Sequence, residues 1–189
     1  MAEPRNLLDL PADLPVPVDD GACDHLPEMR LPSLALPATD GTTVDLSMLP
    51  GRSVVYVYPR TGRPDQPLPT GWDQIPGARG CTPQSCAYRD RAAELKALGV
   101  RVFGLSTQDT AYQLEAVTRL HLPFPLLSDE RLELTAALSL PTFAVDGMTL
   151  IKRLTLVIDD GAIETVFYPV FPPDADASHV TAWLREHQT

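Results

Sequence analysis

The apolar residues of this chain fall into short uninterrupted runs and helical stripes, separated by stretches dominated by proline, glycine and acids. "SVVYVYP" (Ser53 to Pro59) is a continuous β-prone run; with no polar face, it predicts a central strand buried on both sides. "VRVFGLST" (100–107) predicts a second buried strand. Between them lies a stretch expected to be helical from Pro83 to Leu98. Thr82 suits the N-cap, Pro83 the first helical position and Gly99 the C-terminal stop. "TAYQLEAVTRLH" predicts a helix, "FPLLSD" a short strand and "ERLELTAALSL" another helix. "KRLTLVIDDGAIETVFYPV" predicts a hairpin turning at Asp160-Gly161, and "DASHVTAWLREHQ" a C-terminal helix. Upstream, "LPSLALPATDGTTVDLSMLPG" reads as two short strands around a turn at Asp40-Gly41.

Two segments lack periodicity. Residues 1–30 are rich in proline and acids and are expected to form an extended, loosely packed N-terminal arm, with the folded domain running over 31–189. Residues 60–80, "RTGRPDQPLPTGWDQIPGARG", predict a long inserted loop. Loops of this length inside a compact domain are often functional. Strands alternating with helices, closed by a hairpin and a last helix, predict a mixed α/β layered domain.

Length and charge narrow the picture. A chain of 189 residues, 44 % hydrophobic, suits one domain with a sizeable core. A net charge of −10 disfavours nucleic acid or an anionic membrane surface as partner. The apolar runs are too short to span a bilayer. The first twenty residues place acids and prolines where a signal peptide needs a basic start and an apolar run, so a cytoplasmic protein is expected. Three cysteines are too few and odd in number for a disulfide-stapled secreted domain.

Two of those cysteines sit together in "GCTPQSCAYRD" (80–90), where the helix is expected to begin. A cysteine at a helix entrance feels the positive end of the backbone dipole and unpaired N–H groups, both of which favour thiolate. Cys81 directly precedes the expected cap Thr82, and Arg79 stands two residues earlier. Cys86 falls about one turn into the helix. Five residues advance roughly 7.5 Å along a helix axis, and Cα atoms more than about 7 Å apart cannot be bridged without backbone movement. A Cys81–Cys86 disulfide would therefore require the first turn to unwind. The spacing is too long for a Cys-x-x-Cys redox pair. For a zinc site, Cys23 and His25 are the sole further local pair. The plain alternative is that both thiols are small core residues. Trp72 reads as loop packing or as substrate recognition, Arg79 as a loop charge in solvent or a thiolate partner, Cys23 as a packed bystander, and His121 and His179 as surface or structural groups.

"GCTPQSCAYRD" resembles the active-site segment of peroxiredoxins of the peroxiredoxin Q (bacterioferritin comigratory protein) type, which often have Gly-Cys-Thr with a second Cys five residues after the first. The resemblance runs from about Leu31 to the C-terminus. "SVVYVYPR", "GVRVFGLSTQ", "LPFPLLSDE" and "RLTLVIDDG" are similar, in order and spacing, to successive family segments. The resemblance implies a thioredoxin-like fold, with a central mixed β-sheet flanked by helices and an N-terminal hairpin. It implies a thiol peroxidase acting on hydrogen peroxide or small organic hydroperoxides, with Cys81 peroxidatic, Cys86 resolving and Arg153 in the position of the active-site arginine. Gly80, Thr82, Arg79 and Trp72 are the loop and substrate candidates. No metal or organic cofactor is implied. A thioredoxin-like reductant and a monomer or homodimer are.

The chain departs from the family pattern Pro-x-x-x-Thr-x-x-Cys, for Gln74 and Ala78 occupy the proline and threonine positions. A lost donor at a reacting centre costs on the order of 3 kcal/mol. The departure, with the enlarged 60–80 loop, supports a second reading, a redox-sensing interaction protein that uses a Cys81–Cys86 switch with little turnover. A protein thiol–disulfide reductase is a third, disfavoured by the spacing.

Overall fold

In a computed structural model that describes residues 6–188, the two apolar runs lie side by side. Strand β3 (Arg52–Val57) pairs in parallel with β4 (Arg101–Ser106), Val55 opposite Phe103. On its other side β3 pairs antiparallel with β8 (Leu154–Asp159), Val55 opposite Leu156. Strands β5 (Leu126–Ser128) and β9 (Ala162–Phe167) complete a five-stranded mixed sheet in the order β5-β4-β3-β8-β9. β3 is buried from Ser53 onward, as a run without a polar face requires.

Alternate residues face opposite layers, the period-2 rule of a pleated strand. Val55, Val57, Phe103, Leu105, Leu156 and Ile158 point into one apolar cluster. It is covered by the hairpin β1 (Leu36–Pro37) and β2 (Thr43–Val44) and by α3 (Glu133–Ala137). Val54, Tyr56, Tyr58, Val102, Leu126 and Val157 point into the other. There they meet α1 (Cys81–Ala97), α2 (Thr110–Leu120) and α4 (Asp176–Glu186). Each fully buried aliphatic or aromatic side chain contributes roughly 1.5–3 kcal/mol.

Four expectations need correction. Helix α1 starts at Cys81, two residues before Pro83, and its N-cap is Gly80, not Thr82. The Gly80 carbonyl accepts from Gln84 N–H at 3.0 Å, and Gly80 itself holds φ +109°, a reversal that Thr82 would adopt only under strain. The stretch "ERLELTAALSL" gives a helix of five residues, because Leu132 (φ +58°) and Ser139 (φ +49°) turn the backbone aside at its two ends. A hairpin of β6 (Thr142–Val145) and β7 (Met148–Ile151) was not foreseen, although Asp146-Gly147 is a hairpin turn signal. Finally, the arm is not loose along its length. Residues 1–5 lie outside the described residues, but Leu26 is fully buried and Cys23 nearly so. Glu28 N–H donates to Ile163 O (2.8 Å) and Leu31 N–H to Gly161 O (2.9 Å), so the end of the arm covers the free edge of β9.

The 60–80 loop is packed as well. Trp72 opens a 3-10 turn (Trp72–Gln74) and is 4 % exposed. Its ring lies 6.2 Å from that of Phe143 on β6, and Ala78, Val145 and Leu150 close the same small cluster. Thr70 N–H donates to Asp146 at the hairpin turn (2.8 Å). The unforeseen hairpin is therefore what gives the loop a surface to fold on.

Two substitutions test this architecture. Trp72→Ala is expected to cost about 3–5 kcal/mol in denaturant unfolding and to loosen the loop that ends at Gly80. Gly161→Ala is expected to lower the melting temperature sharply. A Cβ there would lie 2.3 Å from the Ser47 carbonyl oxygen, at φ +76°, and the positive φ alone costs roughly 1–2 kcal/mol.

Candidate active site

The site forms where the 60–80 loop turns into α1. Gly80 makes the turn, and nothing larger fits. A Cβ at this position would lie 2.5 Å from Pro173 Cγ and 3.0 Å from Leu10 Cδ2. Pro173 begins a 3-10 turn (Pro173–Ala175) that leads into α4. Cys81 is the first helical residue and is 3 % exposed. Gln84 N–H is the first to close a helical bond, so the amides of Cys81 and Thr82 lie ahead of the ladder, at the positive end of the dipole.

Arg153, on the connection between β7 and β8, faces the sulfur. Its Nη2 lies 3.2 Å from Cys81 Sγ. The rest of the guanidinium is bound by the loop it orders. Nε donates to Gly77 O (3.2 Å), and Nη2 to Ala78 O (3.0 Å) and Arg79 O (3.3 Å). Nη1 donates to Gln84 Oε1 on α1. Cys81 Sγ also lies 3.7 Å from Ala78 O, the acceptor for its S–H.

Behind Gln84 stands Asp176, the first residue of α4. Its Oδ2 accepts from Gln84 Nε2 (2.8 Å), Tyr88 OH (2.9 Å) and Thr155 Oγ1 (2.8 Å). Burial pushes the Asp176 carboxyl upward from its ordinary value, and the three hydrogen bonds act against that shift. Tyr88 stacks on Tyr56 at 4.5 Å, and Tyr56 OH donates to Ser85 Oγ (3.1 Å), so the first turns of α1 rest on aromatic side chains.

Cys86 lies one turn further along α1, half-buried and unpaired. Burial raises its thiol above the ordinary value, with Arg89 pulling the other way. Cys23 is buried in the opposite layer, and desolvation, followed by repulsion from Asp20 and Asp19, pushes its thiol up to about 12. His25 uses a ring nitrogen to hold the Leu138 carbonyl at 2.8 Å. Among the described residues, no group of three or more His, Cys, Asp or Glu is placed to hold a metal ion.

The remaining expected residues divide. Thr82 is buried in the first turn and makes no side-chain capping bond. Arg79 matches neither expectation. It is not a solvated charge, and its guanidinium ties the loop to the arm, bonding Asp73 of the loop (3.1 Å) and the Asp9 (3.2 Å) and Asn6 (3.3 Å) carbonyls of the arm. Trp72 packs under the loop and does not line the thiol. Beside Arg153 and Gly77 opens a cavity of about 360 Å³, walled by Val16 and Val18 of the arm, Ile75, Phe143 and Val170. Sequence reasoning missed Gln84, Asp176, Tyr88 and Thr155. Gln84 was within reach, since three residues after Cys81 shares its helix face. Asp176 reads in sequence as an ordinary acid at a helix start.

The comparisons bear on this geometry. A family model described as Redoxin matches residues 26–184. Peroxiredoxin Bcp of Escherichia coli (strain K12) is 34 % identical over 161 residues, which cover 82 % of this chain and 93 % of that protein. Chloroplastic peroxiredoxin Q of Triticum aestivum is 34 % identical over 145 residues, 76 % of this chain; the match spans 59 % of that relative's length. Among solved structures, peroxidoxin BcpB from Mycobacterium tuberculosis superposes with a TM-score of 0.70 at 27 % identity, covering 87 % of this chain and 100 % of that one. Peroxiredoxin Q of Xanthomonas campestris gives 0.65 at 20 % identity over 94 % of this chain and 100 % of its own, a likeness of fold alone. The mixed sheet with its flanking helices is thus a thioredoxin-like fold. With the family model spanning the whole five-stranded sheet together with Cys81 and Cys86, and a relative matched over 93 % of its length, this chain belongs to the redoxin family, among the peroxiredoxins of the Q/Bcp type.

Proposed function

We propose that this chain is a thiol-dependent peroxidase that reduces hydrogen peroxide or small organic hydroperoxides. Cys81 serves as the attacking thiolate, Cys86 as the resolving thiol and Arg153 as the charge-stabilising group. The observation that carries the reading is the buried guanidinium 3.2 Å from Cys81 Sγ at the start of α1. In the first step Sγ attacks one peroxide oxygen. The S–O bond forms as the O–O bond breaks, and water or an alcohol departs with a proton, leaving a sulfenic acid. Charge develops on the departing oxygen, and Arg153 and the amides ahead of the α1 ladder are the donors available to it. Ala78 brings no hydroxyl, so orientation of the peroxide falls to those donors. The cavity beside Arg153, walled by valines, isoleucine and phenylalanine, suits the organic end of an alkyl hydroperoxide.

In the second step the Cys86 thiolate displaces hydroxide from the sulfenic sulfur, giving a disulfide and, after protonation, water. Helix geometry keeps Cys81 and Cys86 apart while α1 is wound, so this step needs its first turn to open. A thioredoxin-type dithiol then reduces the disulfide by exchange. The relatives are named as peroxiredoxins, which favours turnover over the sensor reading. An odd, low cysteine count fits a reducing compartment, and we place the protein in the cytoplasm.

Three measurements test this reading. With a thioredoxin system, Cys81→Ser is expected to abolish peroxide consumption. Cys86→Ser is expected to consume a single equivalent and to accumulate sulfenic acid that a dimedone probe captures; continued recycling by Cys86→Ser would remove Cys86 from its role. Arg153→Met is expected to slow the peroxide step about a hundredfold in stopped flow, within the range for loss of one oxyanion donor. The third concerns pH. Burial holds the Cys86 thiol above its ordinary value, so its thiolate is scarce near neutrality and grows as pH rises. The rate of Cys81–Cys86 bond formation, followed after a single peroxide addition, is therefore expected to climb by up to about tenfold per pH unit below that value. A flat profile would assign the limiting step to helix opening.

A further inference from the structure

The Cys81 thiolate is served by Arg153, but nothing in the arginine itself dictates where its guanidinium points. One of its donors, Nη1, is engaged by Gln84 Oε1. An amide side chain can present either its oxygen or its NH₂ in nearly the same place. Presenting NH₂ would set donor against donor and push the guanidinium away from the loop. What settles the choice lies on the far side of the amide. Gln84 Nε2 donates to Asp176 Oδ2 at 2.8 Å. The flipped amide would be wrong twice, with its oxygen against a carboxylate and its NH₂ against a guanidinium.

The carboxylate oxygen is itself placed from two further directions. Tyr88 OH, one turn beyond Gln84 on α1, donates at 2.9 Å, and Thr155 Oγ1, two residues beyond Arg153 on β8, donates at 2.8 Å. Asp176 thus reads the positions of α1 and β8 together and transmits them to the amide. Gln84, Tyr88 and Thr155 are fully buried, Asp176 is 2 % exposed and Arg153 3 %. Water is therefore kept from the donors along this path, and the hydrogen bonds carry more than they would in solvent.

We propose that Asp176 is a positioning residue for the reacting thiolate: through the Gln84 amide it fixes the guanidinium of Arg153 against Cys81 Sγ, three side chains away. The relay rests on the reading of Cys81 as the attacking sulfur. It depends on Asp176 as an oriented acceptor, not on its charge. An asparagine can present its oxygen to the same three donors, whereas a leucine of similar bulk cannot.

The test is the rate of Cys81 alkylation by iodoacetamide at neutral pH in the Cys86→Ser, Cys23→Ser background, measured beside the peroxide rate and the melting temperature. Asp176→Leu is expected to slow alkylation about tenfold, and Asp176→Asn to stay within about twofold of the parent, since about 1.4 kcal/mol in stabilisation of the thiolate is a factor of ten. Tyr88→Phe removes one partner of Asp176 while leaving Gln84 held. It is expected to slow alkylation by less than Asp176→Leu does. Gln84→Met is expected to match Asp176→Leu, and the two together to lose no more than either alone. Additive losses, or equal alkylation rates in Asp176→Leu and Asp176→Asn, would overturn the relay. Should Asp176→Leu fail to fold, the Gln84 side-chain amide can be followed by NMR in the unaltered protein. The relay requires its protons to exchange slowly with solvent and to shift in Asp176→Asn; rapid exchange would refute it. Failure of the peroxidase reading has a different signature, a parent protein that alkylates readily at Cys81 but consumes no peroxide.

Discussion

A buried guanidinium within 3.2 Å of a buried sulfur is the constraint around which this molecule is arranged. Moving either charge out of water is costly, and a pair is tolerated only when its remaining donors and acceptors are satisfied. Arg153 meets that condition with three loop carbonyls and one amide. The carbonyls come from Gly77, Ala78 and Arg79, so the same arginine that would hold a thiolate also decides the path by which the chain enters α1. Site and loop are in that sense one structure.

The loop could not take this path unaided. It is rich in proline and glycine and has no periodic face of its own. The β6–β7 hairpin supplies Phe143, Val145 and Leu150 as a floor for Trp72 and Ala78. Arg79 ties the loop's end to the arm through Asp9 and Asn6 carbonyls, and Leu10 closes against Gly80. Ala78 takes a further meaning here. Its side chain is fully buried beneath the site, while its carbonyl serves Arg153 and faces Cys81 Sγ. The position that carries a hydroxyl in the family pattern has become a packing position, and its polar work falls to the backbone.

Chemistry of the proposed kind asks two opposed things of α1. Its first turn must be wound to offer Cys81 the helix terminus, and unwound to let Cys86 approach. Cys81, Thr82, Pro83, Gln84 and Ser85 are all buried, and Gln84 and Tyr88 are bonded to α4 through Asp176. Opening the turn therefore breaks contacts with α4 as well as helical hydrogen bonds. On the proposed chemistry, the wound state holds until oxidation provides a covalent bond that offsets them.

Much of this was written in the chain itself. Uninterrupted runs at Ser53–Pro59 and 100–107 specify buried strands, because no arrangement leaves such residues in water cheaply. The stop at Gly99 is local too: with φ +74° it donates to Lys96 O (3.0 Å), as a helix-ending glycine should. The pairing of Cys81 with a helix start was legible from Gly80 to Ser85, although the start fell two residues early because Gly80, rather than Thr82, makes the turn. What the sequence could not disclose was set by contacts between distant segments. The family resemblance pointed to Arg153 at the thiol, but only packing sends Arg79 to the arm. Asp176 looks like any acid at a helix entrance until α1, β8 and α4 converge on one of its oxygens. Local propensity acts over a few residues, whereas the orientation of a buried side chain is decided by whichever donors and acceptors the fold brings to it, and at this site these come from segments up to 92 positions apart.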